Sequence, residues 1–221
     1  GPAWSLFFEY IANLAYALVL RRLSNTVIWV LAAISGAGLI HMAVMSPNGD
    51  VIGGWSLEPA QLRIGFIRLA FPFLAGILLR RTFVSGKCPK AFLMSSMLLV
   101  GVLAFPRVGD HESLWMNGIY DSLIIIIVFP AIMYIGANGR VKGQSAQRLC
   151  KFLGDISYPI YITHFPILYV FYAWVSNNKI NIEDSFSAAA AVFAICLAIS
   201  FISLRFYDVP VRRWLSKKFL Q

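Results

Sequence analysis

Apolar residues run along this chain in blocks of about 15 to 20, separated by short polar loops, and about 20 apolar residues suffice for a helix to span a bilayer. The pattern predicts seven hydrophobic helices, over 4–20, 27–45, 61–79, 91–105, 119–135, 156–175 and 186–206, the fourth of them short. No fixed-period repeat interrupts this reading.

The loops carry a second pattern. "RRLSN", "RRTFVSGKCPK", "NGRVKGQSAQRLCK" and the tail "RRWLSKKFLQ" are basic. Between them, "SPNGDVIGGWSLEPAQ", "RVGDHESLW" and "SNNKINIEDS" are acidic or nearly balanced. Every second loop is therefore basic. Cytoplasmic loops collect Lys and Arg, so the alternation predicts seven crossings with the N-terminus outside and the C-terminus inside. The expected fold class is all-α, a multi-pass transmembrane helix bundle within one membrane domain. A chain that begins outside, at the edge of a hydrophobic run, reads as a piece of a longer protein with its earlier helices missing.

Composition agrees with a membrane class. Of 221 residues, 59% are hydrophobic and 13% charged. A soluble domain of this size does not enclose so much apolar surface. The net charge of +9 would suggest nucleic acid in a soluble protein, but here it belongs to the inner loops, and no nucleic-acid partner is expected. Cys88, Cys150 and Cys196 are scattered without ligand spacing, so neither a disulfide framework nor a metal site is expected.

The candidate chemistry lies in polar residues at membrane depth. Ser5, Glu9 and Asn13 recur every four residues and share one face of the first helix, with Tyr16 close by. Leu6, Phe7, Leu14 and Leu18 form an apolar side suited to lipid. A carboxylate at this depth is costly unless it is paired or meets water. Glu9 is therefore either a structural hydrogen-bonding or interfacial acid, or part of a functional cavity. Arg68, within the third helix, stands at a similar depth. It pairs with Glu9, snorkels to the headgroups, or binds an anionic substrate group. On the sixth helix Ser157, Tyr161 and His164 share a face, and Pro159 and Pro166 distort the backbone around them. A lone His there packs against its neighbours or contacts a substrate. Asp121 reads as a helix cap or an interfacial acid. His41 and His111 fall at or beyond the outer edge without metal spacing; the nucleotide-binding glycine patterns are absent, and "GGWS" lies in an outer loop without a strand or helix partner.

Several strings, in order, resemble the acyltransferase 3 family of integral membrane acyltransferases: "WSLFFEY", "RLAFPFLAGILLRR", "YDSLIIIIVFP", "FLGDISYPIYITHFP" and "YDVPVRRWL". The resemblance covers essentially the whole chain. It implies transfer of an acyl group, often acetyl, from acyl-CoA to a hydroxyl of a cell-surface or exported carbohydrate or another acceptor. It also implies a multi-pass protein of the bacterial inner membrane. The family's Ser-x-x-x-Glu motif falls on Ser5 and Glu9. Its other central motif, an Arg followed after ten residues by a catalytic His, belongs to the family's first helix. Eleven residues before His41, His111 and His164 stand Val30, Val100 and Leu153, so that spacing is absent. Residues 1–221 therefore resemble the C-terminal part of the family.

In the whole protein the resemblance gives the base role to the missing His, with Glu9 orienting or stabilising its imidazole. Ser5 would hydrogen-bond at the acceptor or, alternatively, carry an acyl group. Arg68, Asn13, Tyr161 and His164 would contact substrate. The basic inner residues Arg80, Arg81, Lys87, Lys90, Arg140 and Lys142 are where CoA phosphates would dock, or else plain topology signals. The isolated chain is then expected to be inactive. The rival readings are a transporter or flippase-like protein for a polar or glycan substrate, and a catalytically dead remnant.

Overall fold

A computed structural model describes residues 2–84, 86, 88–107, 109–110, 112–139, 141, 143–181 and 183–219. Among these the regular structure is helical, with a single isolated bridge between Cys88 and Gly139. Seven helices follow one another: α1 (Pro2–Leu18), α2 (Asn25–Val44), α3 (Pro59–Thr82), α4 (Ala91–Ala104), α5 (Leu114–Ala137), α6 (Gln144–Asn177) and α7 (Glu183–Phe219). By length and composition α2, α3, α5 and α7 are sufficient to cross a membrane. α1, at 17 residues, stands at the lower limit for a span. α4, at 14, is about 21 Å long against a hydrocarbon core of about 30 Å.

The expected helices are all present, with two large differences in length. α6 starts twelve residues before the predicted 156, and α7 runs thirteen residues past the predicted 206. Apolar blocks mark only the part of a helix that can sit in lipid. The added turns, rich in Gln, Arg, Lys and Leu, are good helix formers and need no apolar neighbours.

Prolines shape these helices in two ways. In α5 the residues Ile124–Val128 form a π turn, and Pro130 follows two residues later. In α7 Leu204–Asp208 do the same, and Pro210 follows at the same distance. A proline ring collides with the carbonyl four residues back and offers no N–H. Widening the preceding turn relieves that clash. Pro72, Pro159 and Pro166 stay within α-helical backbone.

The chain divides into two compact units, one formed chiefly by residues 4–141 and the other by 142–221. In the first, α2 and α3 pack through Ile28 and Ala32 against Phe71, Leu74 and Leu78. Gly118 of α5 meets α2 so closely that a Cβ there would lie 2.3 Å from the Ala43 carbonyl oxygen. Small residues permit this close backbone approach, which is how helices associate where the solvent is itself apolar.

In the second unit, hydroxyls join α6 to α7. Thr163 Oγ1 lies 2.8 Å from the Pro159 carbonyl oxygen and 2.9 Å from Ser200 Oγ, which lies 2.6 Å from the Cys196 carbonyl oxygen; each hydroxyl has one hydrogen, so one of the two donates across the pair and the other to the carbonyl of its own helix. Ser200 is fully buried. Ser200→Ala should therefore lower stability by about 0.6–1.7 kcal/mol, the range for interhelical bonds in membranes, read from thermal unfolding in detergent. An unchanged midpoint would mean that the hydroxyl pair does not hold the helices together.

Candidate functional site

α1 carries Ser5, Glu9 and Asn13 on one face, as their spacing requires. Asn13 Nδ2 donates to the Glu9 main-chain carbonyl at 2.9 Å. The Glu9 carboxylate is exposed and, within its own unit, makes no hydrogen bond or ion pair with a described residue. Ser5 is half-buried and has a partner. On the adjoining face Phe8 is buried: its ring occupies the space a side chain at Gly65 would need, and it meets Phe66 edge to face at 5.1 Å between centroids. Phe8 thus fixes the rotation of α1 against α3. Ser5, Glu9 and Asn13 follow from that rotation, on a stripe not closed by Phe8.

Arg68 does not pair with Glu9. Its Nη1 donates to the Gly53 carbonyl at 2.5 Å. Gly53 and Gly54 have φ of 145° and 87°, in the region that favours glycine. They let the loop after α2 fold down onto α3, where Gln61 Oε1 accepts from the main-chain N–H of Gly54 at 2.7 Å and of Trp55 at 3.3 Å. A Cβ on Gly54 would lie 2.9 Å from Gly65 Cα. The "GGWS" loop, expected to lack a helix partner, is therefore clamped to the start of α3. Arg68 is itself exposed. A guanidinium has five N–H donors, and the bond to Gly53 uses one, so the others remain for an anion.

A second polar group escaped the sequence reading. Arg107 Nη1 lies 3.4 Å from Asp121 Oδ2 and 3.1 Å from the Gly49 carbonyl to which it donates. Asn117, 3% exposed, accepts from Gly109 N–H at 2.9 Å and donates to the Gly109 carbonyl at 3.2 Å. Asp121 is thus the ion-pair partner of Arg107, eight positions into α5, and not a cap. Together these contacts tie the loops after α2 and α4 to the head of α5. His111, in the same loop, lies outside the described residues.

Tyr161 and His164 belong to the second unit, with ring centroids 6.1 Å apart. His164 Nδ1 stands 2.8 Å from the Ile160 carbonyl oxygen. A carbonyl only accepts, so Nδ1 carries a hydrogen, and Nε2 is left outside that bond. Ser157 turns back to the Gly154 carbonyl at 2.8 Å. Beyond His164, α6 and α7 part to leave a recess of about 650 Å³ between Pro166, Phe171 and Trp174 on one side and Ala188, Ala191 and Ile195 on the other. Its lining is apolar apart from the Trp174 indole, so it is chemically suited to hydrocarbon and not to a sugar or a phosphate.

The basic residues separate into different classes. Arg81 donates to the carbonyls of Leu23 at 2.7 Å, Leu20 at 3.0 Å and Arg21 at 3.1 Å, and to Asn25 Oδ1 at 3.3 Å. It is a clasp over the turn between α1 and α2. Arg80 and Lys90 are exposed. Lys87, Arg140 and Lys142 lie outside the described residues. Among the described residues no group of three His, Cys, Asp or Glu side chains is placed to hold a metal ion.

The family described as "Acyltransferase domain", in the acyltransferase 3 group, matches residues 1–205. No curated protein and no solved structure matches the chain.

Proposed function

The chain belongs to the acyltransferase 3 family, a family of membrane acyltransferases, and on that premise we propose that it moves an acetyl group from acetyl-CoA to a hydroxyl of an exported or cell-surface carbohydrate at the bacterial inner membrane. The observation that carries the reading is the uncommitted Glu9 carboxylate on the stripe of Ser5 and Asn13. An ionisable side chain on a membrane helix points by default to a functional site. Acyl transfer to a hydroxyl has a use for an acid, because a base must take the hydroxyl proton and the resulting cation must be stabilised.

In this reading the base is a His on helices that precede residue 1 in the whole protein. Glu9 orients that imidazole and stabilises its protonated form. Ser5 and Asn13 hydrogen-bond the acceptor hydroxyl. The donors of Arg68 not engaged by Gly53 hold an anionic group of the acceptor. His164 and Tyr161 contribute hydrogen bonds to the acceptor, His164 through Nε2. The exposed Arg80 and Lys90 remain open to CoA phosphates, whereas Arg81 is engaged elsewhere. The loop charges support an N-terminus outside and a C-terminus inside.

The test is transfer of radiolabelled acetyl from acetyl-CoA into membrane or exported glycan. The full-length protein should transfer label, and residues 1–221 alone should not. Robust transfer by residues 1–221 would place the base within this chain, with His164 the first residue to mutate. Glycan movement without covalent label would favour a transporter and sink the enzyme reading.

A further inference from the structure

α7 is 37 residues long, about 55 Å, whereas a bilayer with its headgroups spans about 40–45 Å. Its apolar part ends at the π turn Leu204–Asp208, and the segment Val209–Phe219 continues beyond it. That segment lies past residue 205, where the family match stops.

The cations of this segment are sorted by face. At 100° per residue within Val209–Phe219, Arg212, Arg213 and Lys217 fall on one arc with Val209 and Ser216. Pro210, Val211, Trp214, Leu215 and Phe219 fall on the other. The apolar arc stays open: Trp214 is 56% exposed and Phe219 68%. Lys218, which falls among them, lies over both rings, at 5.0 Å from the Trp214 centroid and 5.4 Å from that of Phe219. It is the Lys218 ammonium that stands over the two rings, a cation–π contact. Asp208 pairs with Arg212. Phe152 of α6 meets Phe201 of α7 at 6.2 Å, which brings the α6 cations Arg148 and Lys151 to the same end.

A topology signal needs positive charge near a helix end, but it does not need the charge on one face. Sorting by face, with exposed aromatics opposite, is the pattern of a helix lying in a lipid interface. We propose that Val209–Phe219 lies along the inner membrane surface, bends there at the π turn, and binds the headgroups of anionic phospholipids. The phosphate comes from lipid and not from a nucleotide. From Arg205 to Lys218 the cations spread over about 20 Å of exposed, convex helix, where a polyphosphate would need converging donors in a concave site. The apolar arc also requires acyl chains, which CoA does not offer there.

Native mass spectrometry of the protein in detergent containing equal phosphatidylglycerol and phosphatidylcholine tests this. Wild type should retain phosphatidylglycerol in preference, and the preference should fall as salt rises. The variant Arg212→Gln/Arg213→Gln/Lys217→Gln/Lys218→Gln should lose it by at least about tenfold, while Arg212→Lys/Arg213→Lys keeps it. The salt series needs no variant, so the proposal stays testable if the fourfold change impairs folding. Equal retention by wild type and the fourfold variant, a salt-independent preference, or displacement of phosphatidylglycerol by free CoA would overturn it.

Discussion

Glu9→Gln in the full-length protein should lower kcat for acetyl transfer by roughly 10²- to 10⁴-fold, with the KM for acetyl-CoA changed by less than about threefold. The substitution keeps the shape of the side chain and removes its charge. If Glu9 holds an imidazolium formed only as the hydroxyl proton departs, the loss appears in the chemical step and not in donor binding. Stability separates this role from a structural one. The Glu9 carboxylate makes no bond with a described residue of its unit, and a neutral amide is easier to keep in a membrane than a carboxylate. The variant should therefore unfold at the same temperature or a higher one while activity collapses. A structural acid would lose stability and activity together. Glu9→Asp, with the charge kept but drawn back by one methylene, should fall between wild type and Gln. Full activity in Glu9→Gln would remove Glu9 from the mechanism.

This prediction rests on the part of the molecule most legible from sequence. A period of four places Ser5, Glu9 and Asn13 on one helix face whatever surrounds them, and the structure keeps them there. The helices were legible for the same reason: apolar blocks and basic loops are local signals. What the site residues touch was not legible. Glu9 and Arg68 stand at similar depth with opposite charge, which suggests a pair. The pair does not form because the glycines at 53 and 54 bring a carbonyl down to the guanidinium, and nothing local in "GDVIGGWS" reveals where that loop will lie. Arg107 and Asp121 are 14 positions apart across a loop, and their meeting depends on how α5 is seated against α2 at Gly118. Helix length was misjudged at α6 and α7 because hydropathy reports solvent and not backbone. A helix continues into water as long as its residues favour it and nothing breaks it.

The same distinction between charge count and geometry divides two adjacent arginines. Arg80 and Arg81 are indistinguishable in the string "RR", and both were candidates for CoA phosphates. Arg81→Met should destabilise the protein by about 2–4 kcal/mol, since the guanidinium bonds three main-chain carbonyls and the Asn25 amide oxygen, and bonds from a charged donor contribute about 1.5–3 kcal/mol each before water replaces some of them. Arg81→Lys should recover less than half of that loss, because one ammonium does not reproduce the planar fork that spans Leu20, Arg21 and Leu23. Arg80→Met should leave the thermal midpoint within about 0.5 kcal/mol of wild type. Its side chain is exposed and makes no bond with a described residue, so any effect belongs to the KM for the acyl donor. If Arg81→Met unfolds normally and raises that KM, the clasp is not what holds the turn, and Arg81 returns to the donor site.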